Sequence, residues 1–98
     1  MDAVLIPAYE PDEELIQLTQ KLKAADFAIV IVDDGSGPDF QHIFDAVKED
    51  AQVLRHVDNR GKGAALKTGM RYIRDHMPEV AHFITCDADG QHQVEDVV

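Results

Sequence analysis

Hydrophobic residues along this chain come in short unbroken runs, separated by stretches where they recur every three or four positions. Ala3-Val4-Leu5-Ile6 is the first run, and Pro7 stops it, which reads as a buried strand ending in a loop. Pro11 through Ala25 predicts a helix. Proline suits its first turn, Asp12, Glu13 and Glu14 favour its positive end, and Leu15, Leu18 and Leu22 form an apolar stripe with Ile16 beside it. Phe27 to Val32 is a second strand, rich in Ile and Val and without alternation, as expected where both faces of a sheet are covered. Asp33-Asp34-Gly35-Ser36-Gly37-Pro38 punctuates it. A second helix is expected over residues 39–49 with Ile43, Phe44 and Val47 inward, then a shorter strand from Gln52 to His56. Asp58 through Gly63 forms a loop that feeds a helix ending near His76. Gly69 weakens that helix, and a neighbouring backbone is expected to come close there. Ala81 to Thr85 is the fourth strand, and a last helix is expected to start near Val94. The order β-α-β-α-β-α-β predicts an α/β fold with a doubly wound, parallel sheet.

The chain has 98 residues, 45% of them hydrophobic, which suffices for one small core and gives a single domain. Nine basic residues face nineteen acidic ones, a formal charge of −10. That excludes DNA or RNA as the main partner, because binding a nucleic-acid backbone needs concentrated positive charge. Residues 1–50 carry twelve acids and three bases, and residues 51–98 carry seven acids and six bases, all six between Arg55 and Arg74. A local basic segment inside an acidic protein suits the phosphates of a nucleotide better than a polymer. The single cysteine, Cys86, excludes an internal disulfide framework and reads as a small buried filler. No leader peptide is legible at Met1-Asp2 and no run approaches a membrane span, which sets the expectation of a cytoplasmic protein.

In open parallel sheets ligands bind beyond the carboxyl ends of the strands. Pro7-Ala8-Tyr9-Glu10, Asp33-Asp34-Gly35-Ser36 and Asp87-Ala88-Asp89 fall at such ends, and Asn59-Arg60-Gly61-Lys62-Gly63 follows the third strand. Four polar segments on one edge point to a binding cleft more strongly than any one of them. Asp87 and Asp89, one residue apart, can share a hard divalent cation such as Mg²⁺ or Mn²⁺, which is often held by one or two carboxylates and substrate phosphates. The competing reading is a turn in which aspartate bonds its own backbone. After the second strand, one of Asp33 and Asp34 can cap the backbone while the other faces the pocket. There a carboxylate can accept N3–H of uracil or N1–H and N2–H of guanine. Tyr9 can stack on a base. Arg60-Gly61-Lys62-Gly63 suits a phosphate, its glycines permitting close approach and Lys62 adding charge, but it is not a Walker loop. Of His42, His56, His76, His82 and His92, only His92 stands near the acidic pair, and the other four read as structural or surface residues.

These residues, in this order, resemble the amino-terminal half of a family 2 glycosyltransferase. The resemblance runs through Val4 to Glu10, Ile31 to Ser36, Asn59 to Leu66 and Asp87-Ala88-Asp89-Gly90-Gln91-His92. It is greatest to the polyprenyl-phosphate sugar synthases, such as dolichyl-phosphate mannose or glucose synthase. It implies the three-layer, Rossmann-like GT-A fold, with residues 1–98 as its nucleotide-sugar-binding part, truncated after the metal motif. Pro7, Ala8, Tyr9 and Glu10 would line base and ribose, Asp34 would read the base with Asp33 and Gly35 supporting the loop, and Lys62 would lie near base or phosphates. Asp87 and Asp89 would form the DxD motif and act in catalysis, Asp89 as the firmer ligand of Mg²⁺ or Mn²⁺, with Asp87 on ribose or sugar and Gln91 completing the metal environment. The implied reaction is inverting transfer from a UDP- or GDP-sugar to a polyprenyl phosphate or glycan acceptor, at the cytoplasmic face of the membrane if a later segment associates with it. Two alternatives stay open: a nucleotide-binding fragment without catalysis, and a nucleotidyltransferase of related fold. A response-regulator receiver fails on register, because Pro7-Ala8 and Val57-Asp58 stand where its carboxylates belong.

Overall fold

The computed structural model describes residues 2–88. Strand β1 (Asp2–Ala8) is followed by α1 (Glu14–Ala24), β2 (Ala28–Asp34), a single 3₁₀ turn (Pro38–Phe40), α2 (Gln41–Val47), β3 (Gln52–His56), α3 (Lys62–His76) and β4 (His82–Thr85). All three strand pairings are parallel, in the order β3-β2-β1-β4. The α/β fold with a parallel sheet is therefore as the sequence pattern predicts. The expected final helix near Val94 lies outside the described residues.

Side-chain alternation in the two central strands divides the core into two layers. Val4, Ile6, Ala8, Ile29 and Ile31 pack with Leu15, Leu18 and Leu22 of α1 and Ile43, Phe44 and Val47 of α2. Ala3, Leu5, Val30 and Val32 pack on the other face against Ala65 and Ile73 of α3. Helices thus cover both faces, which is why neither strand shows polar alternation in sequence. On α3 the buried positions Ala65, Gly69 and Ile73 are four residues apart, and the first two are small enough to bring the helix close to the sheet.

Several boundaries differ from the sequence pattern for identifiable reasons. β1 continues through Pro7 to Ala8 rather than stopping at Ile6. The Leu5 carbonyl accepts the Cys86 amide, so Pro7, two residues on, turns its missing N–H toward the same neighbour, beyond the last β1–β4 register pair at Leu5 and Thr85. α1 begins at Glu14 rather than Pro11, because the Asp12 carboxylate takes the Glu14 amide and forms a turn ahead of the helix. β2 runs on through both aspartates, whereas α2 is shorter than its apolar pattern because Pro38 opens a 3₁₀ turn first. Among the described residues, no helix is long and apolar enough to cross a membrane.

Candidate functional site

Strand order places the crevice. β2 and β3 lie on one side of β1 and β4 on the other, so chain direction across the sheet reverses beside β1. In sheets of this kind the loops diverge there and leave a cleft at the carboxyl edge. A cleft of about 280 Å³ occupies that edge, lined by Pro7, Ala8, Tyr9, Asp34, Asn59, Gly61, Lys62 and Asp87. Segments from all four strand ends therefore meet. A smaller hollow of about 120 Å³ shares Tyr9 as a wall and is closed by Glu10, Pro11, Asp12 and Ala88.

The adjacent carboxylates of β2 take different jobs because consecutive strand residues face opposite ways. Asp33 follows Ile29 and Ile31 onto the α1 and α2 side, where its Oδ1 accepts the Ser36 amide at 3.0 Å. The Ser36 hydroxyl in turn accepts the Glu10 amide at 2.8 Å, joining the loops after β1 and β2. Asp34 follows Val30 and Val32 to the α3 side. Its Oδ1 accepts His56 Nδ1–H at 2.8 Å and the Arg60 amide at 2.9 Å, and its Oδ2 accepts the Gly61 amide at 2.9 Å. Burial is the largest single influence on the Asp34 carboxyl and opposes its ionisation, but the bonds from Arg60, His56 and Gly61 together outweigh it and hold its pKa below the ordinary value.

His56, one of the four histidines that the sequence reads as structural or surface residues, is structural and lies beneath the site. It is buried, 6% exposed, and its Nε2 lies 2.8 Å from the Thr68 hydroxyl on α3. It therefore ties β3, Asp34 and α3 together under the floor of the cleft. The available signal was its place as the last residue of a strand whose neighbour ends in Asp34, with the register pair Asp34–His56. Gly35, with φ +76°, passes so close to the backbone of Asp58 and Asn59 that a Cβ there would overlap both. Gly61, with φ +94°, caps α3 and aims its amide at Asp34.

Tyr9 is half exposed at the cleft wall, and its phenol is held above its ordinary pKa chiefly by the Glu10 carboxylate. Lys62 Nζ donates to Asp87 Oδ1 at 3.2 Å across the mouth, a solvent-exposed pair. Cys86 is buried beside it as a core filler. Asp89, Gln91 and His92 lie outside the described residues, so the structure places only Asp87 of the expected metal set. A group of three potential ligands does not occur among the described residues. Asp87 nevertheless supplies hard carboxylate oxygen at the cleft mouth, which fits a cation that completes its shell with substrate phosphates.

Fold and site together define an α/β domain with a mixed acidic and basic ligand cleft at a parallel-sheet switch point. The family model for glycosyl transferase family 2 matches residues 3–97, and the chain belongs to that family. A crystal structure of S. aureus TarS superposes with a TM-score of 0.67 at 18% identity, over 97% of this chain and 18% of that one, and shares its GT-A fold. Among curated proteins, an uncharacterised Methanocaldococcus jannaschii protein is 40% identical over 96% of this chain and 37% of its own length. An undecaprenyl-phosphate 4-deoxy-4-formamido-L-arabinose transferase of Pseudomonas fluorescens is 32% identical over 97% of this chain and 30% of its own. A UDP-N-acetylglucosamine–dolichyl-phosphate N-acetylglucosaminyltransferase of Methanococcus voltae is 27% identical over 96% and 43%. The chain thus spans between 30 and 43% of the length of these relatives.

Proposed function

We propose that this chain is the sugar-nucleotide-binding part of a glycosyltransferase that moves a sugar from a UDP- or GDP-sugar to a polyprenyl phosphate. The observation that carries the reading is the cleft itself, built from all four strand ends of a family 2 domain, with a ring, a carboxylate, a lysine and a second carboxylate around it. Relatives named as undecaprenyl-phosphate and dolichyl-phosphate transferases support the lipid-phosphate acceptor.

In this reading Tyr9 stacks on the base, Asp34 accepts a base N–H, and Pro7 and Ala8 give the base an apolar wall. Lys62 contacts the diphosphate, exchanging its bond to Asp87 for one to phosphate oxygen. Asp87, Asp89 and Gln91 would hold Mg²⁺ or Mn²⁺, which when bound supplies positive charge opposite the departing diphosphate. A polyprenyl phosphate attacks through its own oxyanion, so the acceptor needs little help from a general base, and transfer proceeds with inversion. A cytoplasmic membrane face is the expected place for such chemistry.

Calorimetric titration of UDP and GDP, with and without Mg²⁺ or Mn²⁺, tests the reading. Binding is expected to require the cation, and Asp89→Ala is expected to abolish the requirement. Metal-independent binding, unchanged in the variant, would remove Asp89 from its proposed role.

A further inference from the structure

The two sides of the sheet differ in charge. Residues 1–50, which supply both helices of the α1 and α2 side, hold twelve acids and three bases. On the opposite side α3 holds four bases and one acid. Ala65, Gly69 and Ile73 face the sheet, so Lys67, Arg71 and Arg74, spaced by four and three residues, form a ridge along the far side of the helix. All three are exposed. Arg74 pairs with Asp75 at 2.9 Å, but among the described residues neither Lys67 nor Arg71 has an ion-pair partner.

Apolar surface accompanies the ridge. Met70 is exposed beside Lys67 and Arg74, and Phe83 is exposed on β4. Phe83 is in register with Ala3, so its side chain stands on the α3 side of the sheet. Cations interleaved with exposed apolar side chains suit an anionic lipid surface, which takes the charges at its headgroups and the apolar groups at the acyl boundary. The acids of the opposite side do not prevent this. The molecule measures 33 × 26 × 22 Å, whereas salt at physiological strength screens exposed charge over about 8 Å.

We propose that the outward ridge of α3, Lys67, Arg71 and Arg74 with Met70 beside them, is a docking surface for an anionic lipid bilayer. The choice of a lipid surface over an acidic polypeptide rests on the proposed lipid-phosphate acceptor. Lys62 lines the cleft at the start of the same helix, and Lys67 stands about 7.5 Å farther along its axis. A chain lying on this ridge holds its cleft beside the headgroups, where a lipid phosphate is presented.

Cosedimentation tests the proposal, with vesicles of pure phosphatidylcholine and of equal parts phosphatidylcholine and phosphatidylglycerol. The chain is expected to bind the anionic vesicles, to ignore the neutral ones and to be released by high salt. Each base at such a surface strengthens partitioning roughly fivefold, so Lys67→Gln with Arg71→Gln should weaken it about 25-fold. Lys21→Gln with Lys23→Gln removes the same charge from exposed positions of α1 and should change it less than about twofold. Circular dichroism checks that both double variants are folded. Equal weakening by the two pairs overturns the assignment to α3, because net charge would then suffice. No binding to anionic vesicles overturns the proposal and leaves the ridge to an acidic polypeptide. A parallel titration with UDP keeps the two readings apart. A chain that binds UDP but no vesicle loses the docking surface alone, and one that binds vesicles but not UDP loses the nucleotide reading alone.

Discussion

Gly69 of α3 rests directly on the side chain of Leu5 in β1, so that a Cβ at position 69 would overlap the Leu5 methyl groups. The sequence pattern anticipates a close approach at this glycine but assigns it to a backbone, whereas the neighbour is a core side chain. Leu5 has no exposed surface and is packed with Ala3, Val30 and Val32, so it cannot swing aside. Gly69→Ala gains up to about 1 kcal/mol of helix propensity. It loses about 1–3 kcal/mol to overpacking, and the expected result is net destabilisation on the order of 1 kcal/mol. Denaturant unfolding should show a lower midpoint, and adding Leu5→Ala should make the alanine at 69 cost less than it does alone.

Gly35 answers to a stiffer neighbour. A side chain there meets the backbone of Asp58 and Asn59 and must also adopt φ +76°. Left-handed backbone alone costs a non-glycine residue about 1–2 kcal/mol. Gly35→Ala should therefore lower stability by more than that, and should push the 58–61 loop away from Asp34. Thermal unfolding checks the first effect, and a nucleotide affinity reduced by tenfold or more checks the second.

Asp34 sets a direction for pH dependence. Its carboxyl titrates below the ordinary 3.8, so its bonds to Arg60, His56 and Gly61 stabilise the folded chain fully above that value. The contribution is lost as pH falls through the lower folded-state value. Asp34→Asn should be less stable than the parent chain at neutral pH, and the gap should close below a pH of about 4. Unfolding curves measured across that range decide it; a gap that widens on acidification contradicts the assignment.

Lys62 and Asp87 form an exposed pair, which contributes little to folding, about 0–1 kcal/mol. Lys62→Ala should leave the melting temperature nearly unchanged. If Lys62 serves the phosphates, the variant should weaken UDP markedly and uridine hardly at all. Equal weakening of both would place the lysine elsewhere.

Much of the fold is legible because both central strands are buried on two faces and so appear as unbroken apolar runs. Val4 to Ile6 and Ile29 to Val32 announce themselves in this way, and Leu15, Leu18 and Leu22 announce α1. Ends are harder to read where a local bond competes with the pattern, as the Asp12 carboxylate does at the start of α1. The cleft's lining is equally legible through its glycines, acids and Lys62. What lies beneath is not. The bond between His56 and Asp34 joins residues 22 apart in sequence, and only strand register brings them together. His56 ends a short, half-polar strand, and its tie to Asp34 shows only once β2 and β3 are set side by side. The division of labour between Asp33 and Asp34 is likewise a matter of which face each one meets, which depends on where α3 packs.

The bonds from Glu10 to Ser36 and from Ser36 to Asp33 fix the loop that carries Tyr9 before any ligand arrives. On the proposed reading an incoming base would meet a wall already in position, with little ordering of the chain left for the moment of contact. Arrival should accordingly proceed at similar speed for nucleotides of every base. Preference among them will appear in how long each one stays.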